Sequence, residues 1–180
     1  MATVEVATER FELRPWRESD LGVLAEAATD SCITSITTVP ATYTTEAGHG
    51  FLHRMTELPA DGITVPRAIA DRVTDTVVGH ISLRLRDLDL GRVGLGCWVL
   101  PSARGRGVAR EAVTALSHWA FDRLGSRRIE PWNEPSKQVA LSAGFVREGL
   151  LRNWQAVGGR WSDVEMFSRV RPLASGPDDR

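Results

Sequence analysis

Apolar positions along the 180-residue chain recur at two spacings, and each change of spacing marks a new element. The first structured stretch is "RFELRPW", residues 10–16, where Phe11, Leu13 and Pro15 alternate with charged residues as in a half-buried strand. In "ESDLGVLAEAATD", Ser19 or Asp20 can cap a helix that carries Leu21, Leu24, Ala25 and Ala28 on one face. "SCITSITTVPATY" is polar and β-branched, with Pro40 as a breaker, and predicts a loop. "TTEAGHGFLHRMTEL" predicts a second helix capped by Thr44 or Thr45, weakened by Gly48 and Gly50.

Three strands follow in "ITVPRAIADR", "TVVGHISLRLR" and "RVGLGCWVL". The middle one sets Ile81, Leu83 and Leu85 against Ser82, Arg84 and Arg86. "VTDT" and "DLDLG" supply the two connections. After "PSARGRG", Ala109, Ala112, Val113, Leu116, Trp119, Ala120 and Leu124 recur at three- and four-residue steps, a long helix that Gly125 ends. "RRIEPW" predicts a short strand and "EPSKQVALSAG" a helix closed by Gly144. "FVREGLLRNWQAV" and "RWSDVEMFSRV" predict two strands joined by a turn at Gly158 and Gly159.

These elements describe a mixed α/β fold: one continuous, largely antiparallel central sheet with helices on both faces. Residues 1–171 read as a single domain, and residues 172–180, "LASGPDDR" after Pro172, as a disordered tail. Lys and Arg number 22 against 23 Asp and Glu, a net charge of -1, so no global field draws nucleic acid or an anionic membrane. Any anion site must be local. Cys32 and Cys97 are too few for a disulfide framework and lack metal-ligand spacing. Neither a leader pattern nor a run of eighteen apolar residues occurs, so a cytoplasmic location is expected.

The local anion candidate is residues 101–110, "PSARGRGVAR". A helix start carries unsatisfied amides and a partial positive charge. Glycines just before it let backbone N–H groups close around phosphate oxygens, and flanking arginines add charge-assisted bonds. A tight strand-to-helix turn with solvated arginines would account for the same residues. The Walker pattern is absent, since no lysine follows, and "GRGVAR" lacks the third glycine of a dinucleotide fingerprint.

"RGRGVA", residues 104–109, resembles the (Q/R)-x-x-G-x-(G/A) signature of the GCN5-related N-acetyltransferases (GNAT family). It follows a strand ending "WVLP", as in that family. "NEPSKQVALSAGFVREGLLR" and the opening "LRPWRESDLGVLAEAA" are similar to the ribosomal-protein N-terminal acetyltransferase (RimJ/RimL-like) branch. The resemblance covers most of residues 10–170. It implies an acetyl-CoA-dependent N-acetyltransferase in which a primary amine, a protein N-terminus or a small amine, attacks the thioester directly. It also implies that the backbone of Cys97, Trp98 and Val99 binds pantetheine as an added strand. The amides of Arg104, Gly105, Arg106, Gly107, Val108 and Ala109 would hold the pyrophosphate, with Asn133 and Ser136 facing the cofactor. No metal is implied. A homodimer is compatible with the resemblance.

The chain departs from the family pattern at informative places. Gly94 stands where relatives commonly carry a glutamate, Cys97 where an aromatic is frequent, and the only tyrosine, Tyr43, lies far upstream. Ser136 is then the first candidate for the acid that protonates the leaving thiolate, although capping its helix or binding cofactor would equally explain it. Glu130, His80, Asp163 and Glu165 are candidate bases, each with a plain structural role open to it. Glu130 enters the expected catalytic set with Ser136. Cys97 beside the acetyl carbon invites a nucleophilic reading, but with no triad arrangement in the sequence a packed strand residue accounts for it better. Only Pro131 and Trp132 separate "RRIE" from Asn133, fewer strand residues than relatives place there. Glu46, Glu57, Asp61 and Asp30 lie in the expected acceptor region, either attracting a cation or forming a solvated face. The missing glutamate leaves a competing class open, an acyl-CoA-binding sensor or partner module without efficient turnover. A donor with a larger acyl group is a further alternative.

Overall fold

The computed structural model describes residues 6–57, 62–131, 137–157 and 160–172. Strands β1 (Val6–Ala7) and β2 (Phe11–Arg14) lead into helices α1 (Val23–Ala28), α2 (Ser31–Ile36) and α3 (Thr45–Glu57). Then come β3 (Thr64–Asp71), β4 (Val77–Arg84), β5 (Arg92–Val99), α4 (Val108–Arg123), β6 (Arg128–Pro131), α5 (Lys137–Ser142), β7 (Val146–Val157) and β8 (Arg160–Val170). The sheet order is β1-β2-β3-β4-β5-β6-β8-β7. β5 and β6 pair in parallel, and the other neighbours are antiparallel.

The α/β class, the three-strand meander and the closing hairpin agree with the sequence reading. Gly125 (φ 68°) and Gly144 (φ 81°) both adopt the left-handed conformation at helix ends, as a helix-closing glycine does. Thr44 caps α3 by accepting from the Ala47 amide at 3.0 Å.

Three expectations are corrected. "SCITSITTVPATY" does not remain a loop, because Asp30 accepts from the Cys32 and Ile33 amides and starts α2. The capping carboxylate outweighs the weak propensity of Ser, Thr and Ile. The inward face of the first helical segment is Leu21, Leu24 and Ala27, while Ala25 is exposed. Asp20 does not cap that helix. Its carboxylate is buried against Arg14, with Oδ2 to Nη1 at 2.8 Å and Oδ1 to Nη2 at 2.9 Å, and it accepts from the Arg17 amide. β1, which carries too few residues for a readable period, pairs Val6 with Leu13.

One face of the sheet is apolar. Leu13, Ile69, Ile81, Leu83, Leu95 and Ile129 are buried there and meet Ala112, Val113, Leu116 and Ala120 of α4. Small residues at 112 and 120 let the helix sit close. Each large side chain so buried contributes about 1.5–3 kcal/mol. The opposite face carries Trp98 and His80, strand partners whose rings stack at 5.8 Å and 18°. Trp16 and Phe51 of α3 pack over them.

Register decides where the sheet opens. β5 and β6 pair from Arg92↔Arg128 to Leu95↔Pro131, the last described residue of β6, while β5 continues to Val99. β6 meets β8 at Ile129↔Arg169, which puts Pro131 level with Phe167 by extension. β8 begins at Arg160, so about 20 Å of hairpin projects beyond the level of Pro131.

Candidate active site

Beyond Leu95 the edge of β5 faces a cleft of about 730 Å³. Its walls include Cys97, Val99 and Val113, Cys32, Ile33 and Ile36 of α2, and Val139 and Phe145 from the α5 region. The Leu100 amide donates back to Val78 O at 2.9 Å, and Trp98 O lies against Gly79. Alternation along an antiparallel ladder therefore turns the peptide groups of Cys97 and Val99 toward the cleft. Val99 O accepts from Arg104 Nε at 3.2 Å.

The cleft runs to the turn that precedes α4, where Arg104, Gly105, Gly107, Val108 and Ala109 line it. Gly105 (φ 74°) and Gly107 (φ 77°) are both left-handed, a conformation L side chains resist. A Cβ on Gly105 would project into open space, the volume a ligand would use. Among the described residues, none of the amides of residues 105–109 donates a hydrogen bond. Free amides around an open space at a helix start fit a diphosphate.

A brace from the first hairpin holds this turn. Arg10 donates to both carboxylate oxygens of Glu111 and, through Nη1, to Arg106 O at 3.0 Å. Thr8 Oγ1 also donates to Glu111. Burial pushes the Glu111 carboxyl up, and these bonds together bring it below its ordinary value. An acid in the first turn is thereby neutralised where an anion would otherwise be repelled.

Glu130 stands on β6 as the strand partner of Gly94. In-register neighbours project to the same face, so Glu130 stands beside the place where Gly94 offers no carboxylate. Its Oε1 accepts from Arg128 Nε at 2.5 Å, and Arg128 also pairs with Glu148. Glu148 in turn accepts from Ser168 Oγ at 2.6 Å, and these bonds hold its carboxyl down to about 2. Asn133 and Ser136 lie outside the described residues.

The other expected groups are engaged elsewhere. His80 accepts from Trp16 Nε1 at 3.1 Å through Nδ1, which leaves its proton on Nε2, and burial lowers its pKa to about 3. The remaining nitrogen, Nε2, then carries the proton and can only donate. Asp163 accepts from the Asn153 amide at 2.8 Å, and Glu165 is held by Lys137 and Arg147. Burial pushes the Cys97 thiol up to about 12, which keeps it protonated and weakly nucleophilic at neutral pH. Glu46 and Glu57 are exposed, and Asp61 lies outside the described residues. A second cavity of about 640 Å³, near His118, Glu148 and Arg169, touches none of the described candidate residues.

Two features escaped the sequence reading. Asp30 Oδ2 pairs with Arg104 Nη1 at 2.6 Å, and Glu26 accepts from the Ser102 amide at 2.8 Å and from its hydroxyl at 3.0 Å. Asp30 directly ahead of a six-residue amphipathic stretch is the capping signal that could have revealed α2.

A sheet parted between parallel strands, with a glycine turn at the mouth of its longest helix, is the architecture of an α/β transferase fold. Residues 10–146 match the family model described as an acetyltransferase (GNAT) domain. Over 173 residues the chain is 30% identical to the uncharacterized N-acetyltransferase p20 of Bacillus licheniformis, covering 94% of this chain and 97% of that protein. It is 31% identical over 101 residues to the ribosomal-protein-serine acetyltransferase of Escherichia coli K12, 53% of this chain and 56% of that one. The structure of Mycobacterium smegmatis RimJ in complex with CoA-disulfide superposes with a TM-score of 0.78 at 21% identity, over 94% of this chain and 88% of that chain. The chain belongs to the GNAT family of N-acetyltransferases, and the relatives named as ribosomal-protein acetyltransferases support the RimJ/RimL-like branch.

Proposed function

We propose that the protein transfers an acetyl group from acetyl-CoA to a primary amine, with a protein N-terminus the favoured acceptor and a small amine the alternative. The observation that carries this reading is the continuity of one cleft from Cys97 and Val99 on β5 to the free amides at Gly105 and Gly107. The outward groups of Cys97 and Val99 would pair with the pantetheine arm as with a neighbouring strand. The amides of residues 104–109 would bind the pyrophosphate, and Asn133 and Ser136 would complete the cofactor contacts. Bound there, acetyl-CoA supplies an activated thioester carbonyl. The Val99 amide would donate to that carbonyl oxygen as negative charge develops.

Glu130 is the carboxylate assigned to the amine proton, acting through a water, because it stands beside Gly94 on the adjoining strand. Ser136 is the group assigned to the departing thiolate. The protein acceptor is supported by the relative named a ribosomal-protein-serine acetyltransferase.

Calorimetry with coenzyme A, followed by a thiol-release assay across N-terminal peptides and small amines, tests the proposal. Binding and release with at least one amine are expected. Absence of coenzyme A binding to the folded chain refutes it.

A further inference from the structure

Asp30 divides its carboxylate between two tasks. Oδ1 accepts from the amides of Cys32 at 2.8 Å and Ile33 at 3.2 Å and so starts α2. Oδ2 holds Arg104 Nη1 at 2.6 Å. Arg104 is the first residue of the glycine turn, and its Nε is fixed on Val99 O at the end of β5. The Asp30 side chain is 12% exposed, whereas that of Arg104 is 47% exposed. Arg104 therefore keeps surface open toward the cleft that both it and α2 line.

α2 has little else to hold it. Its six residues bury only Ile33, yet Cys32, Ile33 and Ile36 form one wall of the cleft. A second tie, Glu26 to Ser102, anchors α1 to the same β5–α4 connection. α2 and the first turns of α4 line the same cleft, and under the proposed reaction α2 is the wall the amine meets.

We infer that Asp30 is a positioning residue that couples occupancy of the diphosphate turn to the placement of α2, the wall the amine meets. This rests on the proposed acetyl-CoA reading. A diphosphate drawing on the open side of Arg104 fixes the guanidinium, the guanidinium fixes Asp30, and Asp30 fixes the first turn of α2. Asp30 touches neither substrate, yet it sets the geometry in which the amine docks.

Asp30→Asn separates the tasks, because asparagine caps a helix as well as aspartate does but removes the charge that holds Arg104. The experiment is hydrogen exchange at the amides of residues 32–36, with and without coenzyme A, alongside amine KM and calorimetric affinity for coenzyme A. In the wild type, coenzyme A is expected to slow exchange in α2. In Asp30→Asn that protection is lost, amine KM rises about fivefold to tenfold, and coenzyme A affinity changes less than about threefold. Arg104→Met is the second route, and it should abolish the α2 protection from the other end of the pair. Coenzyme A binding with α2 protection unchanged in both variants, or with none in the wild type, overturns the coupling alone. No coenzyme A binding by the wild type overturns the cofactor reading and the coupling together.

Discussion

Replacing Gly105 by alanine tests the proposed diphosphate turn most sharply. At φ 74° an L residue costs about 1–2 kcal/mol, and the stiffer unfolded chain returns about 0.4–1 kcal/mol, for a net loss near 1 kcal/mol. The added Cβ meets no protein atom within 4 Å, so no clash enlarges that figure. For a chain of this size the melting temperature should fall by about 2–4 °C. The larger effect falls on the ligand. If the turn relaxes, its amides rotate away, and if it holds, the Cβ occupies the space a phosphate oxygen needs. Either way coenzyme A should bind about 10- to 100-fold more weakly, since each 1.4 kcal/mol is about tenfold. Gly105→Asn separates the two causes. Asparagine tolerates the left-handed region, so its melting temperature should return toward wild type while binding stays weak. Calorimetric titration with coenzyme A plus thermal unfolding reads both variants. Wild-type affinity in both would refute the assignment of these amides.

Three further outcomes follow from the same geometry. Asp20→Ala leaves the buried Arg14 guanidinium with only the more exposed Asp75 as ionic partner, and should cost about 3 kcal/mol in urea unfolding; a loss under about 1 kcal/mol would show that the pair is not critical. Because the folded His80 pKa is lowered to about 3, the unfolded chain takes up a proton below about pH 6.5 that the native state refuses. Its stabilising share is complete above that pH and declines as pH falls toward 3, by at most ~1.4 kcal/mol per pH unit. His80→Gln should flatten the stability profile between pH 6.5 and 4, and an unchanged slope would contradict the buried neutral ring. Glu130→Gln should lower kcat about 100-fold while acetyl-CoA KM stays within about twofold; full activity would assign the proton to another group.

Local sequence carried much of the fold. The repeat of Ala112, Val113, Leu116 and Ala120, bounded by Gly107 and Gly125, marks α4 through its own spacing, and both glycines adopt positive φ. The turn signal at Gly158 and Gly159 in the sequence likewise marks the hairpin of β7 and β8. The strand–turn–helix wall of the candidate site was legible for the same reason, since strand, glycine turn and helix are adjacent in the chain. Cys97, Trp98, Val99 and five of the six turn residues, all but Arg106, line one cleft as a consequence of that adjacency.

Partners distant in sequence decided the rest. α2 needed Asp30 to cap it and Arg104, far along the chain, to hold the cap. The inward turn of Ala27 in place of Ala25 depended on how α1 lies on the sheet. Glu130 gained its position beside Gly94 only when β6 paired in parallel with β5. Hydrogen-bond periodicity and backbone strain are set by near neighbours, so a sequence displays them directly. Strand register, ion pairs and the side of the sheet a carboxylate faces are set by contacts across the folded chain, and so belong to the tertiary structure.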